Sequence, residues 1–122
     1  MDLSLETAVR DGVTVITVSG YADVYTSSHL RAALRPAVAA GPVVLALDGC
    51  EFLDERGLGV IVGARKLALE SGHDLAIACA GAGAGERVLK MFGVAGLTNV
   101  LTICDTVDLA VEALQDEKAG AL

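Results

Sequence analysis

The order of apolar segments along the chain is the feature that most limits its fold. Leu3–Val9 places apolar residues at alternate positions, which is typical of a strand with one buried face. Asp11 and Gly12 follow as a two-residue turn, and Val13–Ser19 is again strand-like. Two such segments joined by Asp-Gly predict an antiparallel β-hairpin.

After the hairpin, short aliphatic segments alternate with segments whose apolar residues recur at helical spacing. Strands are predicted over residues 43–47, 74–80 and 100–104, and helices over residues 26–39, 55–71, 86–92 and 106–115. This order predicts an α/β domain with a mixed, mainly parallel sheet of about five strands, an antiparallel N-terminal hairpin and about four helices. We expect one domain over residues 1–117 and a frayed tail over 118–122. Pro36 lies inside the first helix, where its missing N–H predicts a distortion near residues 32–36.

Charge and composition exclude several classes of partner. The chain has 122 residues and a formal net charge of −7, which disfavours nucleic acid because phosphate binding needs clustered Lys and Arg. No apolar run approaches the roughly 20 residues that span a bilayer, and no secretory signal pattern opens the chain. We therefore expect a cytoplasmic protein without membrane insertion that binds a protein or a small molecule.

Three cysteines lack the spacing of a metal site or a redox motif. Cys50, Cys79 and Cys104 form no CxxC pair, so buried free thiols are the expected state. A redox pair between Cys79 and Cys104 stays open if their strands are neighbours. No metal site and no cofactor are predicted.

The stretch between residues 47 and 67 predicts a strand, a short turn and an amphipathic helix. Asp54 is placed to cap this helix, its carboxylate accepting the backbone N–H of Arg56 or Gly57. Glu55 then stands in the first turn, where the helix dipole favours negative charge. An ordinary capped helix start would have the same residues, so the pattern alone does not establish a functional site.

The predicted core face of this helix leaves an apolar stripe on another side. Val60, Ile61, Ala64, Leu67 and Ala68 fall on one side together with Gly57. Leu58, Val62 and Leu69 are expected to lie off that face, with Arg65 among them. This stripe predicts either a protein-binding surface or packing against a neighbouring helix.

Three segments resemble the STAS-domain family of bacterial anti-sigma factor antagonists. The residues from Asp54 to Gly59 resemble the family's Asp-Ser-Ser-Gly-Leu-Gly motif, with Glu55 and Arg56 in place of the two serines. The segment from Gly20 through Asp23 and Thr26 to Leu30 resembles Gly-Glu-x-Asp-x-x-Thr-x-x-x-Leu, with Tyr21 in place of Glu. Val88–Phe92, followed by Gly96 and Leu97, resembles the family's late helix and its ending. The resemblance covers essentially the whole chain and implies the STAS fold.

The resemblance implies an anti-sigma factor antagonist that binds an anti-sigma factor of the histidine-kinase-like ATP-binding type and so regulates sigma-dependent transcription. In the family, the first Ser of the motif is phosphorylated by that partner. Glu55 is therefore the phosphoacceptor-equivalent residue and carries a fixed charge. The partner-binding residues expected from the resemblance and the stripe are Asp23, Asp54, Glu55, Arg56, Gly57, Leu58, Val62 and Arg65. The alternative is a STAS module that senses a small ligand or serves a lipid or anion transport complex. We expect the protein to be a monomer or a weak dimer.

Enzymatic activity has little support in the sequence. His29 and His73 form no recognisable triad with Ser or Cys, so we expect no enzyme. Gly81–Gly85 imitates a dinucleotide-binding turn, but G-x-G-x-x-G counted from Gly81 places Glu86 at the third glycine. A plain turn is the preferred interpretation. Phosphorylation of Thr26, Ser27 or Ser28 stays open.

Overall fold

Five strands form one mixed sheet with four helices on its two faces. The computed structural model describes residues 2–120, and the side chains of residues 2–115. The elements are β1 (Leu3–Arg10), β2 (Val13–Ala22), α1 (Ser27–Ala40), β3 (Val43–Leu53), α2 (Glu55–Glu70), β4 (Leu75–Ala78), α3 (Ala84–Val94), β5 (Thr102–Cys104) and α4 (Val107–Gly120). The strand order is β1-β2-β3-β4-β5. The predicted mixed sheet and element order are confirmed.

The N-terminal hairpin is antiparallel and the remaining strand pairs are parallel. Asp11 and Gly12 both have positive φ angles, 52° and 80°, as a type I′ turn requires. Arg10 therefore pairs with Val13, and the register continues without a shift to Leu3 and Gly20. The pairs β2–β3, β3–β4 and β4–β5 are parallel, so the carboxyl ends of β2, β3 and β4 meet at one end of the sheet.

Alternate strand residues face two separate cores. The three-helix core lies under α1, α2 and α3, and includes Ile16, Val18, Leu30, Leu34, Val43, Leu45, Leu47, Ile61, Ala64, Ile77, Val88 and Phe92. The α4 core, on the other face, includes Val13, Val15, Val44, Ala46, Ala76, Ala78, Ala110, Val111 and Leu114. The central strands are thus buried on both faces, which explains their unbroken aliphatic sequences.

The third strand is six residues longer than predicted. It was expected to end at Leu47, but β3 continues to Leu53 because β2 also continues to Ala22 and supplies backbone partners. The register between the two strands shifts twice in this part, between Thr17 and Ser19 and between Gly20 and Tyr21. Polar residues such as Asp48 and Glu51 are exposed on this extension. The extension therefore lacks the continuous apolar pattern from which the strand was predicted.

Other boundaries move by a few residues at element ends. β4 and β5 are shorter than predicted, and α3 is longer at both ends. α1 continues through Pro36 without interruption, so the expected distortion does not end the helix. Pro36 and Ala32 are both exposed, so water can bond the Ala32 carbonyl that has lost its helical donor.

The C-terminal helix extends past its predicted end at Gln115. Residues 118–120 of the predicted tail belong to α4, and residues 121 and 122 lie outside the described residues. The domain boundary at residue 117 stays a prediction. Among the helices of the described residues, none has the length and apolar character needed to cross a membrane.

Candidate functional site

Asp54 organises the turn between β3 and α2. Its Oδ1 accepts the backbone N–H groups of Arg56 and Gly57 at 2.9 and 3.0 Å, which confirms the predicted N-cap. Its Oδ2 accepts the backbone N–H of Val24 at 3.0 Å, and its own N–H donates to the Ala22 carbonyl at 3.1 Å. One carboxylate therefore holds the start of α2 against the loop that follows β2.

Asp23 shapes that neighbouring loop. Its Oδ1 accepts the backbone N–H groups of Tyr25 and Thr26 at 2.9 and 3.1 Å. The Thr26 hydroxyl donates to the Tyr21 carbonyl at 2.6 Å and accepts the Asp23 N–H at 3.0 Å. Asp23 thus lies in the loop that Asp54 holds against α2, and its carboxylate is occupied in positioning backbone.

Gly57 permits the close contact between α2 and the end of β2. A Cβ at this position would lie 2.6 Å from the Ala22 carbonyl oxygen and 2.8 Å from Cδ1 of Leu53. Real side chains do not tolerate such distances, so the glycine is a packing requirement. Gly59, two residues further along the helix, has no atom within 4 Å of its hypothetical Cβ.

Glu55 and Arg56 lie at the tip of the turn. Both residues are exposed. Neither side chain makes a hydrogen bond or ion pair to another described residue. Because the backbone of the turn is held by Asp54, these two charges are presented to solvent from a rigid support.

The structure corrects the predicted stripe on α2. Leu58 retains only 9% of its exposure and packs in the three-helix core, so the expectation that it lies off the core face is wrong. Arg65 does not belong to an exposed stripe either, because its Nε lies 3.4 Å from Oδ1 of Asp74, just beyond the C-terminal end of the helix. Val62 and Leu69 are exposed, at 37% and 51%, as predicted.

A different line of exposed residues runs along the helix from Glu55. Residues separated by seven positions in an α-helix return to nearly the same side. Glu55, Val62 and Leu69 have this spacing, and Gly59 and Lys66 lie between them. All five are exposed, and we call them the α2 stripe. Gly59 and Lys66 were missed from the sequence, although the spacing from Glu55 was available to find them.

A shallow groove lies between the carboxyl ends of β2 and β3 and the start of α3. It has a volume of about 260 Å³ and is lined by Tyr21, Glu51, Gly83, Ala84 and Arg87. The Tyr21 ring packs on Phe52 with centroids 5.9 Å apart. The sequence analysis did not predict this groove. The sequence feature that could have indicated it is Tyr21, which occupies the position of Glu in the family pattern.

The three cysteines are free thiols, and two of them face opposite sides of the sheet. β4 and β5 are neighbours, and the backbone N–H of Cys79 donates to the Cys104 carbonyl at 2.9 Å. Cys104 pairs with Ala78 and faces the α4 core with it, whereas Cys79 faces the three-helix core. This arrangement contradicts the Cys79–Cys104 redox pair, because a disulfide needs both Cβ atoms on one side. Burial raises the pKa of each thiol, Cys50 included.

The glycine-rich turn before α3 packs against an acidic residue. A Cβ on Gly85 would lie 2.9 Å from the sulfur of Cys79 and 3.4 Å from Oδ1 of Asp48. The Asp48 carboxylate accepts the backbone N–H of Ala80 at 2.8 Å. Gly85 is therefore explained by packing, and the nearby negative charge disfavours a phosphate. Within the described part of the chain, no cluster of three His, Cys, Asp or Glu side chains is placed to hold a metal.

Comparison with known proteins gives the family. The STAS domain profile matches residues 4–110, so the chain belongs to the STAS-domain family. An anti-sigma F factor antagonist from Paenibacillus polymyxa is 29% identical over 118 residues, covering 94% of this chain and 97% of the relative. An anti-sigma-B factor antagonist from Staphylococcus aureus is 29% identical over 105 residues, covering 84% and 94%. A crystal structure of an anti-sigma factor antagonist from Mycobacterium paratuberculosis superimposes with a TM-score of 0.79 at 26% identity, covering 93% of this chain and 95% of that one.

Proposed function

We propose that this protein is an anti-sigma factor antagonist without enzymatic activity, which binds an anti-sigma factor of the histidine-kinase-like ATP-binding type in the cytoplasm. The family and the names of the similar proteins support the general role. The observation that carries the proposal is the exposed Glu55 at the start of the α2 stripe, which forms no ion pair with another described residue and lies on a turn whose backbone is already held by Asp54.

Glu55 occupies the phosphoacceptor-equivalent position in this proposal. A carboxylate is not a phosphoryl acceptor for a Ser/Thr kinase, so position 55 cannot be switched by phosphorylation. It carries one charge where phosphoserine carries nearly two, and both favour a helix N-terminus. The protein therefore presents a constant negative charge to its partner.

The binding surface consists of Arg56 and the α2 stripe, and Asp23, Asp54 and Gly57 position it. Val62 and Leu69 supply apolar contact area, and Gly59 lets a partner's backbone approach the helix closely. Glu55 would be desolvated in the complex, which is costly unless the partner supplies a donor. The cognate partner is therefore expected to present Arg, Lys or a backbone N–H opposite Glu55.

Titration calorimetry with the anti-sigma factor encoded in the native host tests the proposal. Glu55→Ser should weaken this complex by about tenfold to a hundredfold, as expected for loss of a charged hydrogen bond. It should also bind more tightly to kinases that recognise Ser, and regain phosphorylation detectable by intact mass. Glu112→Ser, exposed on α4 at the other face of the sheet, is the matched control. Equal affinities of both variants and the parent, within about twofold, would contradict the role of Glu55.

The groove at the start of α3 favours a second candidate function, small-ligand sensing, alone or within a lipid or anion transport complex. Glu51 and Arg87 bring opposite charges to the groove, and Tyr21 adds an aromatic surface. Such a groove suits a small zwitterionic molecule. Binding of amino acids that is abolished by Arg87→Ala, together with no affinity for any anti-sigma factor, would favour this function over the first.

A further inference from the structure

We propose that the free edge of β1 pairs antiparallel with β1 of a second copy of this chain. β1 is the edge of the sheet, and its eight residues form one of the longer strands. Its register with β2 has no bulge, and the strand contains neither Pro nor Lys. Natural edge strands usually use such devices to prevent pairing with other chains. Their absence leaves an open pairing edge.

The hairpin geometry determines which backbone groups are available. In a two-residue type I′ hairpin, the flanking residues Arg10 and Val13 exchange hydrogen bonds, and the bonded pairs then alternate along the ladder. The bond from the Tyr21 N–H to the Asp2 carbonyl at 2.9 Å agrees with this alternation. The N–H and C=O groups of Leu3, Leu5, Thr7 and Val9 therefore point away from β2, and they have no backbone partner among the described residues.

Charge selects one register among those that this alternation allows. A two-fold axis at Ala8 pairs Thr7 with Val9 of the second copy and places Glu6 opposite Arg10 of the second copy, twice per dimer. A two-fold axis at Glu6 would place Glu6 of one copy opposite Glu6 of the other. A two-fold axis at Thr7 would place Glu6 opposite the uncharged Ala8. Opposite charges that face each other across strands stabilise a sheet, and like charges destabilise it. The axis at Ala8 is therefore favoured.

The side chains at this edge are free to make these contacts. Residues 6–10 are all exposed, and Val9 retains 70% of its exposure. Thr7 and Val9 would form β-branched cross-strand pairs, which suit a sheet surface. Arg10 also pairs with Asp108 within the chain, but its guanidinium has five donors and can serve both carboxylates. Because one strand supplies the contact, we expect a weak dimer.

The pairing is independent of the proposed function. α2 packs over β3 and β4, so a second copy at β1 does not cover the α2 stripe. A dimer would present two such stripes. Loss of the dimer and loss of partner binding can therefore be measured separately.

Sedimentation equilibrium of the full chain, over about 10 μM to 1 mM, tests the dimer and its register. Glu6→Arg and Arg10→Glu should each weaken dimerisation by about tenfold or more, because each places like charges opposite each other. An equimolar mixture of the two variants should regain dimers, since Arg at positions 6 and 10 of one chain then faces Glu at both positions of the other. Failure of the mixture to regain dimers would overturn the assigned register.

A second variant tests the edge itself. Thr7→Pro removes an N–H that points outward and leaves the β1–β2 ladder intact, as edge strands tolerate. It should abolish the dimer with circular dichroism unchanged. A parent protein that stays monomeric up to about 1 mM, or a dimer that survives Thr7→Pro, would overturn the proposal.

Discussion

At the scale of single residues, the turn at the start of α2 contains two residues that hold its backbone in place and two whose charged side chains are exposed. Asp54 accepts three backbone N–H groups, and Gly57 allows α2 to contact the Ala22 carbonyl. Both residues therefore stabilise the fold itself. Glu55 and Arg56, between them in sequence, are exposed, and their side chains make no such contact to another described residue.

Gly57→Ala should lower the free energy of unfolding by about 1–3 kcal/mol, because the new methyl would lie 2.6 Å from the Ala22 oxygen and force a shift. Gly59→Ala is the matched control in the same helix, where the methyl meets open space. It should raise stability by about 0.5–1 kcal/mol through helix propensity. Urea denaturation measures both, and equal effects of the two changes would show that the Ala22 contact is not limiting.

At the scale of elements, α2 has a buried side and an exposed side that the helical pattern assigned imperfectly. Leu58 was expected on the exposed side because its direction lies away from the centre of the predicted core face. Leu58 belongs to the three-helix core, however, and α2 packs closely against α1, as in the alternative that the sequence left open. The core face is therefore wider at the beginning of the helix than at its end.

Val62→Asp should weaken binding to the anti-sigma factor by about 2 kcal/mol, roughly thirtyfold, if Val62 is an anchor of the interface. The free energy of unfolding should change by only about 0.5 kcal/mol, since the residue is exposed. Leu109→Asp is the matched control, because Leu109 is 48% exposed on α4, across the sheet from α2. Equal losses of affinity in the two variants would argue against a surface on α2.

Leu58→Asp should behave differently from Val62→Asp. Burying a carboxylate in the three-helix core without a partner should cost about 3 kcal/mol or more of folding free energy. Thermal unfolding would report this as a large drop in Tm. A stable Leu58→Asp variant with impaired partner binding would restore the original assignment of this residue to the docking surface.

At the scale of the whole molecule, the sheet holds its thiols in the apolar interior. Burial is the largest cause that raises the pKa of Cys50 and Cys79. In the unfolded chain these thiols ionise near pH 8.5, whereas the folded protein retains their protons to higher pH. The folded state therefore binds more protons above this pH, and its stability falls as the pH rises.

The free energy of unfolding should decrease as the pH rises above about 8.5, by up to about 1.4 kcal/mol per pH unit for each retained proton. Chemical denaturation at several pH values measures this slope. A Cys50→Ala, Cys79→Ala double variant is less stable overall but should lose most of the slope, since only the contribution of Cys104 remains. An unchanged slope in that variant would assign the dependence to other groups.

The sequence alone determined the features that depend on local periodicity and local hydrogen bonding. The Asp11-Gly12 hairpin, the alternation of strands and helices, and the Asp54 cap all follow from residues close together in the chain, and the structure confirms each. The STAS-domain resemblance was also readable from short motifs, and the family match supports it.

Tertiary structure decided the features that depend on segments distant in sequence. β3 extends to Leu53 because β2 supplies backbone partners beside it, and Gly57 is required because the Ala22 carbonyl lies against it. Leu58 is buried in the three-helix core, and Cys79 and Cys104 face different cores, because the packing of neighbouring elements determines what each side chain meets. Helical and strand periodicity gives the direction of a side chain from its own element, but only the packed fold determines what covers it.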